Sequence, residues 1–223
     1  MQPQADPFIA PVCHEEIEIL YQDEFLLLIN KPAGLLTLSG KNPLNKDSVH
    51  FRLLKTFPTA TMIHRLDFGT SGILVVALNK VINAHICRQF QIRNVVKTYV
   101  ALLHGHISDD EGVIEFPIAK DWPNFPLQKI CYETGKIALT NYRVVERLPE
   151  PLTTRVMFTP VSGRTHQLRI HSREIGHPVL GCDLYGTDEA FSMAKRLMLH
   201  ATGIEFDHPI TGERLNGFSP CPF

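Results

Sequence analysis

The run Ile73-Leu74-Val75-Val76-Ala77-Leu78 restricts the possible fold more than any other stretch of the chain. Six successive apolar residues rich in β-branched side chains leave no polar face at a period of two, so the segment reads as a strand buried within a sheet. Immediately before it stands His64-Arg65-Leu66-Asp67-Phe68-Gly69-Thr70-Ser71-Gly72, which sets an acid and bases beside a small turn. Gly69 and Gly72 allow positive φ and close approach of another molecule. A loop hung from a buried strand can present Asp67 at the mouth of a cleft. The competing reading has Asp67 capping the turn through Thr70 or Ser71 while Arg65 forms an ion pair.

The rest of the chain supplies more strands than helices. Residues 17–21 and 25–30 read as a hairpin around Asp23-Glu24, ended by the turn Lys31-Pro32-Ala33-Gly34. Ser48 to Thr56 has near-helical spacing, and Asn79 is placed to cap a helix over residues 80–93 with Ile82, Ile86 and Phe90 on its buried stripe. Residues 98–103, 113–118, 138–147 and 155–159 read as strands, residues 189–197 as a short helix and residues 203–207 as the final strand. Ser162-Gly163 turns the chain into a helix ending near Gly176. Asp121 to Gly135 contains two prolines and the single tryptophan, and no long regular element fits there. Residues 1–14, with Pro3, Pro7 and Pro11, read as a flexible tail before one domain over 15–223. The expected class is α+β: a single domain with a central, mostly antiparallel mixed sheet flanked by helices and loops.

Charge excludes the crudest mode of nucleic-acid binding. Lys plus Arg number 22 against 23 Asp plus Glu, for a net charge of -1, so any RNA site must be a local basic face. Arg164, His166, Arg169, His171 and Arg173 cluster within ten residues, although a solvated face would look the same. The five cysteines are scattered and form no C-x-x-C pair, which speaks against a disulfide framework or zinc ribbon and for a reducing cytoplasm. No apolar run approaches the ~18 residues of a membrane span.

The motif H-R-L-D-x-x-T-S-G resembles the catalytic loop of the RluA family of RNA pseudouridine synthases. Lys97-Thr98-Tyr99 and Gly163-Arg164-Thr165-His166-Gln167-Leu168-Arg169-Ile170-His171 resemble that family's tyrosine and arginine motifs, in the expected order. Residues 120–124 and 131–136 are similar to the short, dual-specificity branch. The resemblance implies a cofactor-free isomerase acting on RNA, with targets in a tRNA anticodon stem-loop and a large-subunit rRNA hairpin. It offers no membrane role and no inferable protein partner.

It also assigns roles. Asp67 becomes the catalytic carboxylate, acting as nucleophile at the sugar, as nucleophile at the base, or as base at C2′. Arg169 would pair with that carboxylate and keep it ionised. Tyr99, on a strand with Lys97 two residues away on the same side, would contact the target base and handle the C5 proton. Arg65 would fill the space left by a flipped base, and Lys97, Arg164, His166 and Lys129 are the other expected RNA-facing groups. Phe125 and Leu127 depart from the branch, standing where a basic residue is usual. His104 with His106, and His166 with His171, raise a metal-site reading that lacks any H-E-x-x-H or carboxylate-rich pattern. A hydrolytic nucleosidase, a single-site rRNA enzyme and a non-catalytic RNA-binding protein are the rival functions.

Overall fold

A computed structural model describes residues 8–223. Two compact units make up the chain, one of residues 8–95 with 203–220 and the other of residues 96–202 with 221–223. In chain order the first contributes β1 (Glu18–Gln22), β2 (Leu26–Lys31), α1 (Val49–Leu53), β3 (Thr61–Met62), β4 (Ser71–Ala77) and α2 (Lys80–Gln91). The second contributes β5 (Val96–His104), β6 (Glu111–Glu115), β7 (Ile118–Lys120), β8 (Gln128–Ile130), β9 (Leu139–Pro149), β10 (Leu152–Pro160), α3 (Gln167–Glu174) and α4 (Asp188–Ser192). Strand β11 (Leu199–Asp207) then carries the chain back to the first unit, where β12 (Arg214–Phe218) pairs with it. Strands outnumber helices, and the class is α+β.

In the first unit all seven residues of β4 are buried, as an unbroken apolar run requires. β2 lies antiparallel beside it, Leu28 opposite Val75, with Leu26, Leu27, Leu28 and Ile29 buried. β1 covers the outer side of β2 and is largely exposed. Asp23 fixes the hairpin turn: Oδ1 accepts from the Phe25 and Leu26 amides at 2.7 and 2.8 Å, and Oδ2 accepts from Tyr21 and His208. Asn79 caps α2 by accepting from the Ile82 amide at 3.0 Å, and Ile82 and Ile86 are buried as their spacing demands. The third buried position is Gln89 rather than Phe90. Its side-chain amide pairs with the Asp207 backbone, donating at 2.7 Å and accepting at 2.9 Å, so a polar group is buried without cost to its hydrogen bonding.

In the second unit β5, β10, β9 and β6 pair antiparallel in that spatial order, with Tyr99 opposite Phe158 and Phe158 opposite Tyr142. Its core gathers Ala101, Leu103, Val156, Phe158, Leu168 and Ile170, so α3 supplies part of it. β7 and β8 form a separate small hairpin, joined by a 3-10 turn at Trp122–Asn124. Short elements are what two prolines permit there.

Differences from the sequence reading have local causes. β12 follows the strand expected to be last. Its polar sequence hides it, and a Cβ at Gly217 would meet Ile73 Cδ1 at 2.6 Å and Leu28 Cδ1 at 2.8 Å, so those side chains would have to shift. The helix expected over 189–197 stops at Ser192. Residues 1–7 of the expected tail lie outside the described residues. Residues 8–13 form no regular element, yet Asn45 accepts from the Ala10 amide and donates to the Phe8 carbonyl, both at 2.8 Å. Ile86→Ala should cost about 2–5 kcal/mol by leaving a cavity beneath α2, read as a lower urea midpoint at unchanged slope.

Candidate active site

The motif loop runs from β3 into β4, and its backbone is held on both sides of Asp67. Leu66 is buried, and Thr37 Oγ1 both accepts from its amide at 3.2 Å and donates to its carbonyl at 2.8 Å. The Phe68 carbonyl accepts from the Gly34 amide at 2.9 Å and from Lys31 Nζ at 3.3 Å. The Asp67 carbonyl accepts from the Thr70 amide, closing the turn. Gly72 takes a positive φ of 114°, while Gly69 does not, so only one of the two expected glycine positions needs that freedom. Asp67 itself is half-buried and Arg65 exposed. His64 accepts from the Val75 amide through Nε2 at 3.1 Å, and its ring lies against Phe90 with centroids 4.9 Å apart.

Lys31 is the residue sequence reasoning passed over as part of a turn. It is fully buried, and Nζ also donates to the carbonyls of Pro32 at 2.8 Å and Leu35 at 2.7 Å. A lysine at the end of four buried apolar residues was the available signal, since an amine so placed must find acceptors indoors.

In the second unit Lys97 and Tyr99 share one side of β5 and are both half-buried. Lys97 Nζ donates to the Ser162 carbonyl at 3.4 Å, and burial pushes its pKa down to about 8. This contact brings the tyrosine motif to the arginine motif. Gln167 organises the latter: Oε1 accepts from Ser162 Oγ and the Arg164 amide, and Nε2 donates to the Leu139 carbonyl and Thr140 Oγ1. Arg164 Nε donates to the Ile137 carbonyl at 3.2 Å. His166, at the α3 N-cap with φ of 57°, occupies a region uncommon for non-glycine residues, and its Nδ1 lies 2.6 Å from Tyr185 Oη.

Arg169 is 4% exposed and projects from α3 to donate to Asp183 Oδ1 at 2.6 Å and to Cys182 Sγ at 3.3 Å. Its guanidinium lies 5.2 Å from the Tyr185 ring centre, and that of Arg173 5.5 Å from the same ring. Tyr185 Oη also accepts from the Gln128 amide on β8 at 2.9 Å. One buried phenol thus joins the arginine helix to the β7–β8 hairpin. Asp183 and Tyr185 sit between Gly181 and Gly186 in a stretch without a recognisable motif, so the sequence gives no sign of these contacts.

On that hairpin Lys129 is exposed, 3.9 Å from Asp121. Phe125 is exposed, whereas Leu127 packs against the core of the unit. The missing basic side chain at 127 therefore has a packing reason. Among the described residues no group of three or more His, Cys, Asp or Glu is placed to hold a metal, and all five cysteines are free thiols. No helix among them is long and apolar enough to cross a membrane.

Residues 25–174, more than half of the chain, match the family of RNA pseudouridylate synthases. The protein belongs to that family. Its relatives include the dual-specificity RNA pseudouridine synthase RluA of Yersinia pestis, 50% identical over 87% of this chain and 94% of the relative. The protein of that name from Escherichia coli K12 is 46% identical over 92% of this chain and 93% of its own length. The solved structure of human RNA Pseudouridylate Synthase Domain Containing 1 matches with a TM-score of 0.78 at 32% identity, covering 96% of this chain and 86% of that one. The fold is that of a pseudouridine synthase.

His171 yields a pH test. It is fully buried, hydrogen-bonded to Thr140 Oγ1 at 2.9 Å, with Phe116 edge-on to its ring, and burial lowers its pKa to about 4. An unfolded histidine protonates near pH ~6.5, so the folded state should lose stability as pH falls from there towards 4, by up to about 1.4 kcal/mol per pH unit. Below 4 this contribution is flat. In urea titrations across this range, His171→Gln should remove one proton's worth of that slope; an unchanged slope would show that another group causes it.

Proposed function

We propose that this protein isomerises uridine to pseudouridine in structured RNA loops, with Asp67 as the catalytic carboxylate. The observation that carries this reading is the pinned loop: Thr37, Lys31 and Gly34 fix the backbone on either side of a half-buried aspartate in the matched family segment. Such fixing leaves the carboxylate little to reorganise during reaction. The reaction breaks the N1–C1′ bond, turns the uracil and joins C5 to C1′. The C5 proton then leaves and N1, which carried no proton in uridine, takes one up, so the isomerisation balances without oxidant, water or cofactor. Asp67 serves as nucleophile at C1′ or at the base, or removes the C2′ proton.

Tyr99 is the proposed acceptor of the C5 proton, and Arg169 the proposed counter-charge for the carboxylate. Arg65, exposed on the loop, is suited to occupy the stack after the target base is extruded. Lys97, Arg164, His166 and Lys129 are proposed RNA contacts, Lys129 being the most exposed of them. The Yersinia pestis and Escherichia coli relatives are named dual-specificity enzymes. We carry that breadth over as modification of both a tRNA anticodon stem-loop and a large-subunit rRNA hairpin, in the cytoplasm.

Asp67→Asn should abolish product under single-turnover conditions while RNA affinity stays within a few-fold. Product from this variant, or free uracil from the unmutated enzyme, would refute the assignment, the latter in favour of a nucleosidase. Tyr99→Phe keeps the ring and should lower turnover roughly 10²–10⁴-fold with binding retained. Chelators should leave turnover unchanged.

Assays on isolated RNAs test the substrate reading, with pseudouridine expected in both loop types. Modification of only one would confine the enzyme to a single substrate class. Because Leu127 packs against the core, Leu127→Lys should destabilise the hairpin rather than add a phosphate contact, whereas exposed Phe125→Arg should tighten binding and steepen its salt dependence by roughly one unit.

A further inference from the structure

The β7–β8 hairpin and the turn that follows it expose three large aromatic side chains: Trp122 at 66%, Phe125 at 52% and Tyr132 at 77%. Single exposed apolar residues are ordinary, but three so close together leave more than half of their surface in water. Trp122 is moreover held in place. The turn that carries it is closed by Asn124 N to Asp121 O at 3.1 Å, Leu127 N to Asn124 O at 2.9 Å and Asp121 N to Leu127 O at 3.0 Å. Lys120 Nζ stands 4.7 Å from the indole ring centre. An indole carried on a closed turn, with a cation over its ring and most of its area in water, offers an unpaired nucleobase an aromatic ring to stack on and a nearby charge for its phosphate. A protein partner would be better served by an apolar patch without the flanking lysines.

We infer that Trp122 is a stacking platform for an unpaired nucleobase of the substrate RNA, with Lys120 meeting the adjoining phosphate. The inference rests on the proposed action on RNA loops and specifies which nucleotides are read: unpaired ones, recognised by their faces. The hairpin is tied to the arginine helix through the Gln128 amide, Tyr185 and His166, so a base seated on Trp122 is referenced to that helix by two hydrogen bonds.

Trp122 is the only tryptophan of the chain, so its emission reports this site alone. The Asp67→Asn protein, which holds RNA without converting it, is titrated with an anticodon stem-loop RNA and with a blunt duplex of equal length lacking a loop. The stem-loop should quench emission by about half or more, the duplex hardly at all. Trp122→Ala should weaken stem-loop binding roughly five- to hundredfold, and Trp122→Phe should restore most of it. Retardation of the stem-loop on a gel with unchanged emission would overturn the inference, as would equal quenching by the duplex or Trp122→Ala affinity within twofold of the unmutated value. Product formation by the unmutated enzyme is measured separately, so failure of the activity and failure of the stacking site are told apart.

Discussion

The site depends first on a buried amine. Lys31 ends β2 inside the protein, where an uncompensated lysine would cost several kcal/mol. Its three N–H donors find the carbonyls of Pro32, Leu35 and Phe68, and the last belongs to the residue after Asp67. The lysine therefore joins the K-P-A-G turn to the loop that carries Asp67. Thr37 does the same for Leu66, the residue before Asp67, so the loop inherits its position from the strand and turn beneath it.

The second unit solves a similar problem with a phenol and an amide. Gln167 satisfies the turn before α3, and Tyr185 holds two α3 guanidinium groups near its ring while its hydroxyl is shared by His166 and the β8 backbone. Arg169 is consequently fixed by packing on its ring neighbour as well as by Asp183. Both devices place polar side chains in the interior with their hydrogen bonds met, the arrangement under which buried polar groups define a single conformation.

Much of this was legible in the chain. The unbroken apolar run of β4, the Asn79 cap and the Ile82–Ile86 stripe of α2 each follow from a strong local signal, and three ordered motifs marked the family before any fold was known. What escaped was set by tertiary contact. β12 is polar and contains a glycine packed close to Ile73 and Leu28, Gln89 replaces Phe90 on the buried stripe because Asp207 lies opposite, and Leu127 packs against the core in a stretch read only as irregular. Lys31, Asp183 and Tyr185 act through partners far away in sequence or within an unmarked turn, where spacing carries no message.

The central claim is that this chain makes pseudouridine in RNA loops. Its most direct test is to map pseudouridine in tRNA and large-subunit rRNA from cells with the gene intact, deleted, and restored as either the unmutated or the Asp67→Asn form. The account predicts loss of pseudouridine at loop uridines in both RNA classes on deletion and recovery only with the unmutated form. An unchanged map, or recovery with Asp67→Asn, would contradict it.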